Sequence, residues 1–252
     1  MWTMLKYEIQ RNRIVYSIFA GILAALQIGY MISVNLNNEK LTAGFIVGLS
    51  FLGGVTILFI MINGISLYSR DLNQKTGYMV FMTPLSAYKI IGAKLLTTLI
   101  ISSAFLAAFI GLGILDYNML SNKFNIQSLD VLIKIISGRS DMSLSNLGMI
   151  AIWRVILLYI STFTVILFAY FAMSLSATLL QNKKGKKLVA FLIFIGMFVG
   201  LTLIERIMPT AIMASDFAEM FKKEWHSTLL EVVCCIGAFW GTGYMLEKKI
   251  SL

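Results

Sequence analysis

Apolar residues gather into six long runs: Ile14–Val34, Ala43–Leu67, Leu95–Leu115, Val155–Leu180, Leu188–Ile204 and Val232–Leu246. Charges are confined mainly to the joints between them. The first four runs hold no charged residue, and each has at least 21 residues. An α-helix rises 1.5 Å per residue, so about 20 apolar residues cross a hydrocarbon core about 30 Å thick. The last two runs have 17 and 15 residues, and the sixth reaches spanning length only by starting near Thr228 and taking in Glu231. The pattern predicts an all-α integral membrane protein: six transmembrane helices forming one transmembrane domain over residues 1–252.

Between the runs, weaker periodicities predict shorter amphipathic helices. Trp2, Leu5 and Ile9 fall at helical spacing, with Lys6, Gln10 and Arg13 elsewhere around the turn. That suits an N-terminal interfacial helix with its apolar face in lipid and its basic face towards headgroups. Leu129, Leu132, Ile133 and Ile136 repeat the spacing in the long connection Asp116–Asn146, with Gly138 as a stop. Phe217, Met220 and Phe221 follow Asp216, a good N-cap, before the last run.

Composition agrees, with 58% hydrophobic residues, 13% charged and a mean hydropathy of +0.83. The net charge of +9 is a topology signal and not a nucleic-acid footprint. With the N-terminus inside, the cytoplasmic side carries Lys6, Arg11, Arg13, Arg70, Lys75, Lys89, Lys94, Lys183, Lys184, Lys186, Lys187, Lys248 and Lys249. Only Glu8, Asp71 and Glu247 oppose them there, while acidic and basic residues nearly balance on the outer side. Basic residues flanking spans hold their side in the cytoplasm, so both termini are expected inside. Ile14–Val34 is too long for a signal-peptide core, and no cleavable signal is expected.

Little in the chain suggests an enzyme. Cys234 and Cys235 are adjacent, which is neither a redox pair nor a metal spacing, and His226 is the only histidine. No G-x-x-x-x-G-K-[ST] occurs, so no cofactor is expected in this chain, and any ATP and Mg would be bound by another polypeptide. An intramembrane protease or transferase is disfavoured, because no His pair, Asp pair or Ser/His arrangement sits within the runs. The polar residues at membrane depth are Gln27, Asn63, Glu205, Arg206 and Glu231, and such groups face protein or water more readily than lipid. Glu205 is expected either among headgroups or facing a cavity that takes a cationic or amphipathic substrate. Gly44 and Gly48, Gly196 and Gly200, and Gly237 and Gly241 have the spacing that lets helices approach closely, chiefly within one chain.

The connection Tyr68–Lys94 mixes charge with a compact apolar cluster of Tyr78, Met79, Phe81, Met82 and Leu85. Thr83-Pro84 marks a chain break before a new helix. An apolar patch there calls for a cover, either the inner membrane surface or a soluble protein. Arg70-Asp71, Gly77-Tyr78, Thr83-Pro84-Leu85-Ser86 and Ile90-Ile91-Gly92-Ala93-Lys94 resemble the first cytoplasmic loop of type-2 ATP-binding-cassette permeases. The six-span plan, the chain length and the inside termini are similar too, although Lys75 stands near a position where many members are acidic.

The resemblance implies that Asp71–Met82 is a cytoplasmic coupling helix docked on a separate ATP-binding-cassette ATPase. Arg70, Asp71 and Lys75 would form its polar rim, and Tyr78, Phe81 and Met82 its packed centre. It implies a re-entrant outer segment before the last span and a homodimer with a second copy. The chain would sit in a bacterial plasma membrane and export a peptide, antibiotic or lipid-like molecule. Asn63 and Glu205, in the second and fifth spans, are the candidate substrate-pathway residues. Expected partners are thus the ATPase, a second copy, membrane lipid and the hydrophobic or amphipathic substrate, with no nucleic acid. A membrane scaffold, an immunity protein or a secondary transporter would share the bulk properties.

Overall fold

Each apolar run falls in one helix longer than itself, the fourth passing its helix's end by one residue, Leu180. A computed structural model describes residues 2–73, 86–124, 144–180, 185–207 and 217–248. Its helices are α1 (Trp2–Asn35), α2 (Glu39–Asn73), α3 (Ala87–Phe124), α4 (Leu144–Leu179), α5 (Lys186–Ile207) and α6 (Phe217–Lys248). All six are long and apolar enough to cross a membrane, and no strand occurs among the described residues. At 34 residues α1 is about 50 Å long, well beyond the ~30 Å it has to cross.

Two expected breaks are missing. Residues 2–13 are not a separate interfacial helix but the first turns of α1, and 217–223 run straight into the last span as part of α6. The α1 turns also present a different face. Trp2 is 80% exposed, as expected for a lipid anchor, whereas Leu5 is 6% exposed and Glu8 and Asn12 are buried. Lys75, Tyr78, Phe81, Met82, the 129–136 segment and most of the expected re-entrant stretch, 208–216, lie outside the described residues.

Local chemistry sets the observed ends. Asn37 takes the left-handed conformation that Asn tolerates. Asn38 then caps α2, its side-chain oxygen accepting from the Leu41 N–H at 3.2 Å. The carbonyl of Ser86 accepts from the N–H groups of Lys89 and Ile90, so α3 begins three residues after the Thr83-Pro84 break. Gly185, at φ 129°, opens α5 in a conformation that glycine adopts without strain.

The chain divides into two compact units, one of residues 1–62 and 96–140 and one of residues 63–95 and 141–252. In the first, Phe19, Leu23 and Leu52 form the core. Phe19 stacks on Phe59 at 4.4 Å and meets Phe105 edge-on at 5.3 Å. Gln27, a polar residue at membrane depth, hydrogen-bonds the carboxylate of Asp116, whose carbonyl accepts from Tyr30 Oη at 3.3 Å. In the second unit α4 packs directly on α5 and α6. One core there joins Tyr68, Ile91, Ile166 and Tyr170, and another joins Leu167, Phe168, Leu201 and Ala238.

Large apolar side chains are exposed along several helices. Ile14, Ile18, Ile22, Ile28 and Ile32 are exposed on α1, and Leu188, Phe191, Leu192 and Ile195 on α5, while Glu8, Gln27, Asp71 and Lys94 are buried. Exposed apolar area on this scale is ruinous in water and appropriate in lipid.

Candidate functional site

In the second unit, two places gather charged side chains among the described residues. The first is at the foot of the 74–85 connection, where α2 ends and α3 begins. Asp71 and Lys94 form an ion pair there, at 3% and 0% exposure, and Lys94 Nζ also donates to the Leu67 carbonyl at 3.1 Å. Beside it, Tyr68 stacks on Tyr170 at 4.4 Å. Tyr68 shares a hydrogen bond with Ser174, and Tyr170 Oη donates to the Gly64 carbonyl at 2.8 Å. Glu247 in the last turn of α6 accepts from the Ala87 N–H at 3.3 Å, placing a carboxylate at the positive N-terminus of α3.

This arrangement gives Asp71 a different place from the rim assigned to it. It points inward and anchors two helices, because a carboxylate can be held at that depth only by a counter-charge. Arg70 is half-buried and folds back along its own helix, Nε donating to the Ser66 carbonyl at 3.4 Å. Lys75, Tyr78, Phe81 and Met82 lie in the undescribed connection, so of the six coupling residues only Arg70 and Asp71 have a place.

The second site is a cavity of about 390 Å³ between α4, α5 and α6. Its wall carries Arg154 and Ser161 from α4, Glu205 from α5, and Glu224, Ser227, Thr228 and Glu231 from α6. Glu205 and Glu231 both line it, from different helices. One oxygen of Glu205 is buried with no hydrogen-bond partner. Glu224 is differently placed: Arg154 pairs with it at 3.0 Å, and Trp153 Nε1 donates to it at 3.1 Å. The cavity therefore holds one carboxylate paired with Arg154 and, about two turns further along α6, the carboxyls of Glu231 and Glu205 on the same wall. Among the described residues no group of His, Cys, Asp and Glu is placed to hold a metal ion.

Glu205 thus lines a cavity. Asn63 is half-buried and lines neither this cavity nor the groove between α2, α4 and α5. Arg154, Glu224 and the shared wall of Glu205 and Glu231 were not anticipated. Their signal was present, since Glu224, Ser227, Thr228 and Glu231 make an i, i+3, i+4, i+7 polar stripe on an apolar helix, and Arg154 and Ser161 are similarly spaced on α4.

The fold and these sites define a multi-pass helical membrane protein with polar chemistry on its inside. Comparison with known proteins goes no further: no protein family, no curated protein and no solved structure matches the chain.

Proposed function

We propose that this chain is the membrane-spanning permease subunit of an ATP-driven exporter. It would move an amphipathic or hydrophobic molecule out of the cell, powered by a separate cytoplasmic ATPase and working beside a second copy of itself. ATP and Mg would be bound by that partner. The observation that carries the reading is the Asp71–Lys94 pair at the foot of the 74–85 connection. A docked ATPase can move membrane helices only if its docking segment is rigidly rooted in them. A buried ion pair, backed by the Tyr68–Tyr170 stack, supplies such a root. Tyr78, Phe81 and Met82 then provide the packed centre of the contact, with Arg70 and Lys75 at its rim.

A mild-detergent pull-down from the native membrane tests this, scored for a stoichiometric P-loop ATPase and for ATP hydrolysis. Tyr78→Ala is expected to release the ATPase and leave the permease inserted. A chain that purifies alone, without ATPase activity, would overturn the proposal. Asp71 is a poor choice for that test, since reversing its charge also breaks a buried pair.

The carboxyls of Glu205 and Glu231 lining one cavity favour a second reading, a carrier driven by an ion or proton gradient. Transport by the chain alone in vesicles, responding to an imposed gradient and not to ATP, would establish it instead.

A further inference from the structure

A second opening in the same unit lies at the other end of α4 and α5, beside Lys186 and Lys187. It is a groove of about 370 Å³ between the last turns of α2, the end of α4 and the start of α5. Small side chains make it: Ala169 and Ala177 on α4 and Ala190 on α5 leave a gap that Met173, Phe191 and Phe194 wall. An empty apolar gap forfeits dispersion contacts along its whole lining, so in a bilayer a hydrocarbon chain fills it.

The mouth has the opposite character. Among the described residues, Lys186 and Lys187 are the only charged ones on the wall, and no carboxylate lines it. Lys186 is also the first residue of α5, where unsatisfied backbone N–H groups add positive potential. From Lys186 to Phe194 the helix descends about 12 Å, so the cationic end and the apolar floor are separated along the membrane normal as a headgroup is from its acyl chain. Basic pockets between spans at a cytoplasmic surface hold anionic headgroups.

We propose that this groove is a binding site for an anionic phospholipid, with one acyl chain between α4 and α5 and its phosphate at Lys186 and Lys187. Bulk lipid touching the surface would need only the apolar lining; an anionic lipid also uses the paired lysines at its mouth. The inference is independent of how transport is powered.

The test compares two photoreactive probes, phosphatidylglycerol and phosphatidylcholine, each with a diazirine in one acyl chain. Each is added at trace level to phosphatidylcholine vesicles holding the full chain, and adducts are mapped by peptide mass spectrometry. Phosphatidylglycerol is expected to label residues 169–177 and 190–194 several-fold more than phosphatidylcholine. Lys186→Gln with Lys187→Gln should reduce that preference to the phosphatidylcholine level. A control that removes two exposed lysines elsewhere, Lys6→Gln with Lys222→Gln, should preserve it. Equal labelling by the two lipids in the unsubstituted protein would leave only annular lipid and overturn the proposal. So would a preference that survives loss of both groove lysines.

Discussion

Removing either member of the Asp71–Lys94 pair strands the other's charge inside the bundle. Breaking a buried pair from one side costs about 3–5 kcal/mol, whereas replacing both partners with apolar residues of similar volume is often neutral. Asp71→Asn and Lys94→Met should each lower the melting temperature in detergent by several degrees, and Asp71→Leu with Lys94→Met should recover most of the loss. Equal damage from the double variant would mean that the pair is not the anchor. The adjacent tyrosine follows the same logic on a smaller scale. Tyr68→Phe leaves the buried Ser174 hydroxyl without its ring partner, at about 1–3 kcal/mol, and adding Ser174→Ala should reduce that cost. The resemblance implies a rim position for Asp71, and no spacing rule links it to Lys94, 23 residues away. The available hint was subtler: Asp71 continues the apolar stripe of Leu67 and Tyr68, and Lys94 that of Ile90 and Ile91. Opposite charges on two apolar stripes of consecutive helices were legible as a pair only in retrospect.

Among the elements, glycine spacing proved a weak guide to packing. Of the three G-x-x-x-G pairs, Gly44, Gly196, Gly200 and Gly237 have open space where a Cβ would stand, and Gly48 has only Leu26 at 3.9 Å. Gly241 is different, since a Cβ there would fall 2.6 Å from the Phe171 ring, and Gly243, outside every pair, is pressed against Tyr88. Gly243→Ala should therefore destabilise by about 1–3 kcal/mol, the cost of forcing a packed neighbour aside. Gly196→Ala should be neutral or gain up to about 1 kcal/mol from helix propensity. Thermal unfolding of the two variants separates them, and similar melting temperatures would refute the assignment. Helix number was legible because each apolar run is long. Helix ends were not, because neither 2–20 nor 217–236 contains a Gly or Pro to break the chain. Amphipathic turns with no breaker simply extend the span they adjoin.

For the whole molecule, hydropathy reveals which segments enter the membrane but not which polar groups meet there. Gln27 and Asp116 are 89 residues apart, and Glu205 and Glu231 lie on different helices. If the Glu205–Glu231 cavity is part of the substrate pathway, loss of a charged contact worth about 1.5–3 kcal/mol should slow transport of a cationic substrate roughly tenfold to a hundredfold. Transport measured in vesicles should drop accordingly in Glu205→Gln and stay unchanged in Lys222→Gln; an undiminished Glu205→Gln would remove the cavity from the pathway.

That cavity and the lysine-mouthed groove lie towards opposite ends of α4, so their sidedness is a single question. The positive-inside rule predicts a cytoplasmic Gly185, and an odd number of spans separates it from the α1–α2 turn at Asn37. In intact cells a membrane-impermeant maleimide should label Asn37→Cys and reach Gly185→Cys only after the membrane is opened. The reverse pattern would invert the protein, placing the acidic cavity inside and the basic groove outside. Labelling of both from one side would break the six-span count itself. The expected pattern puts an acidic opening on the outer face and a basic, lipid-shaped groove on the inner one.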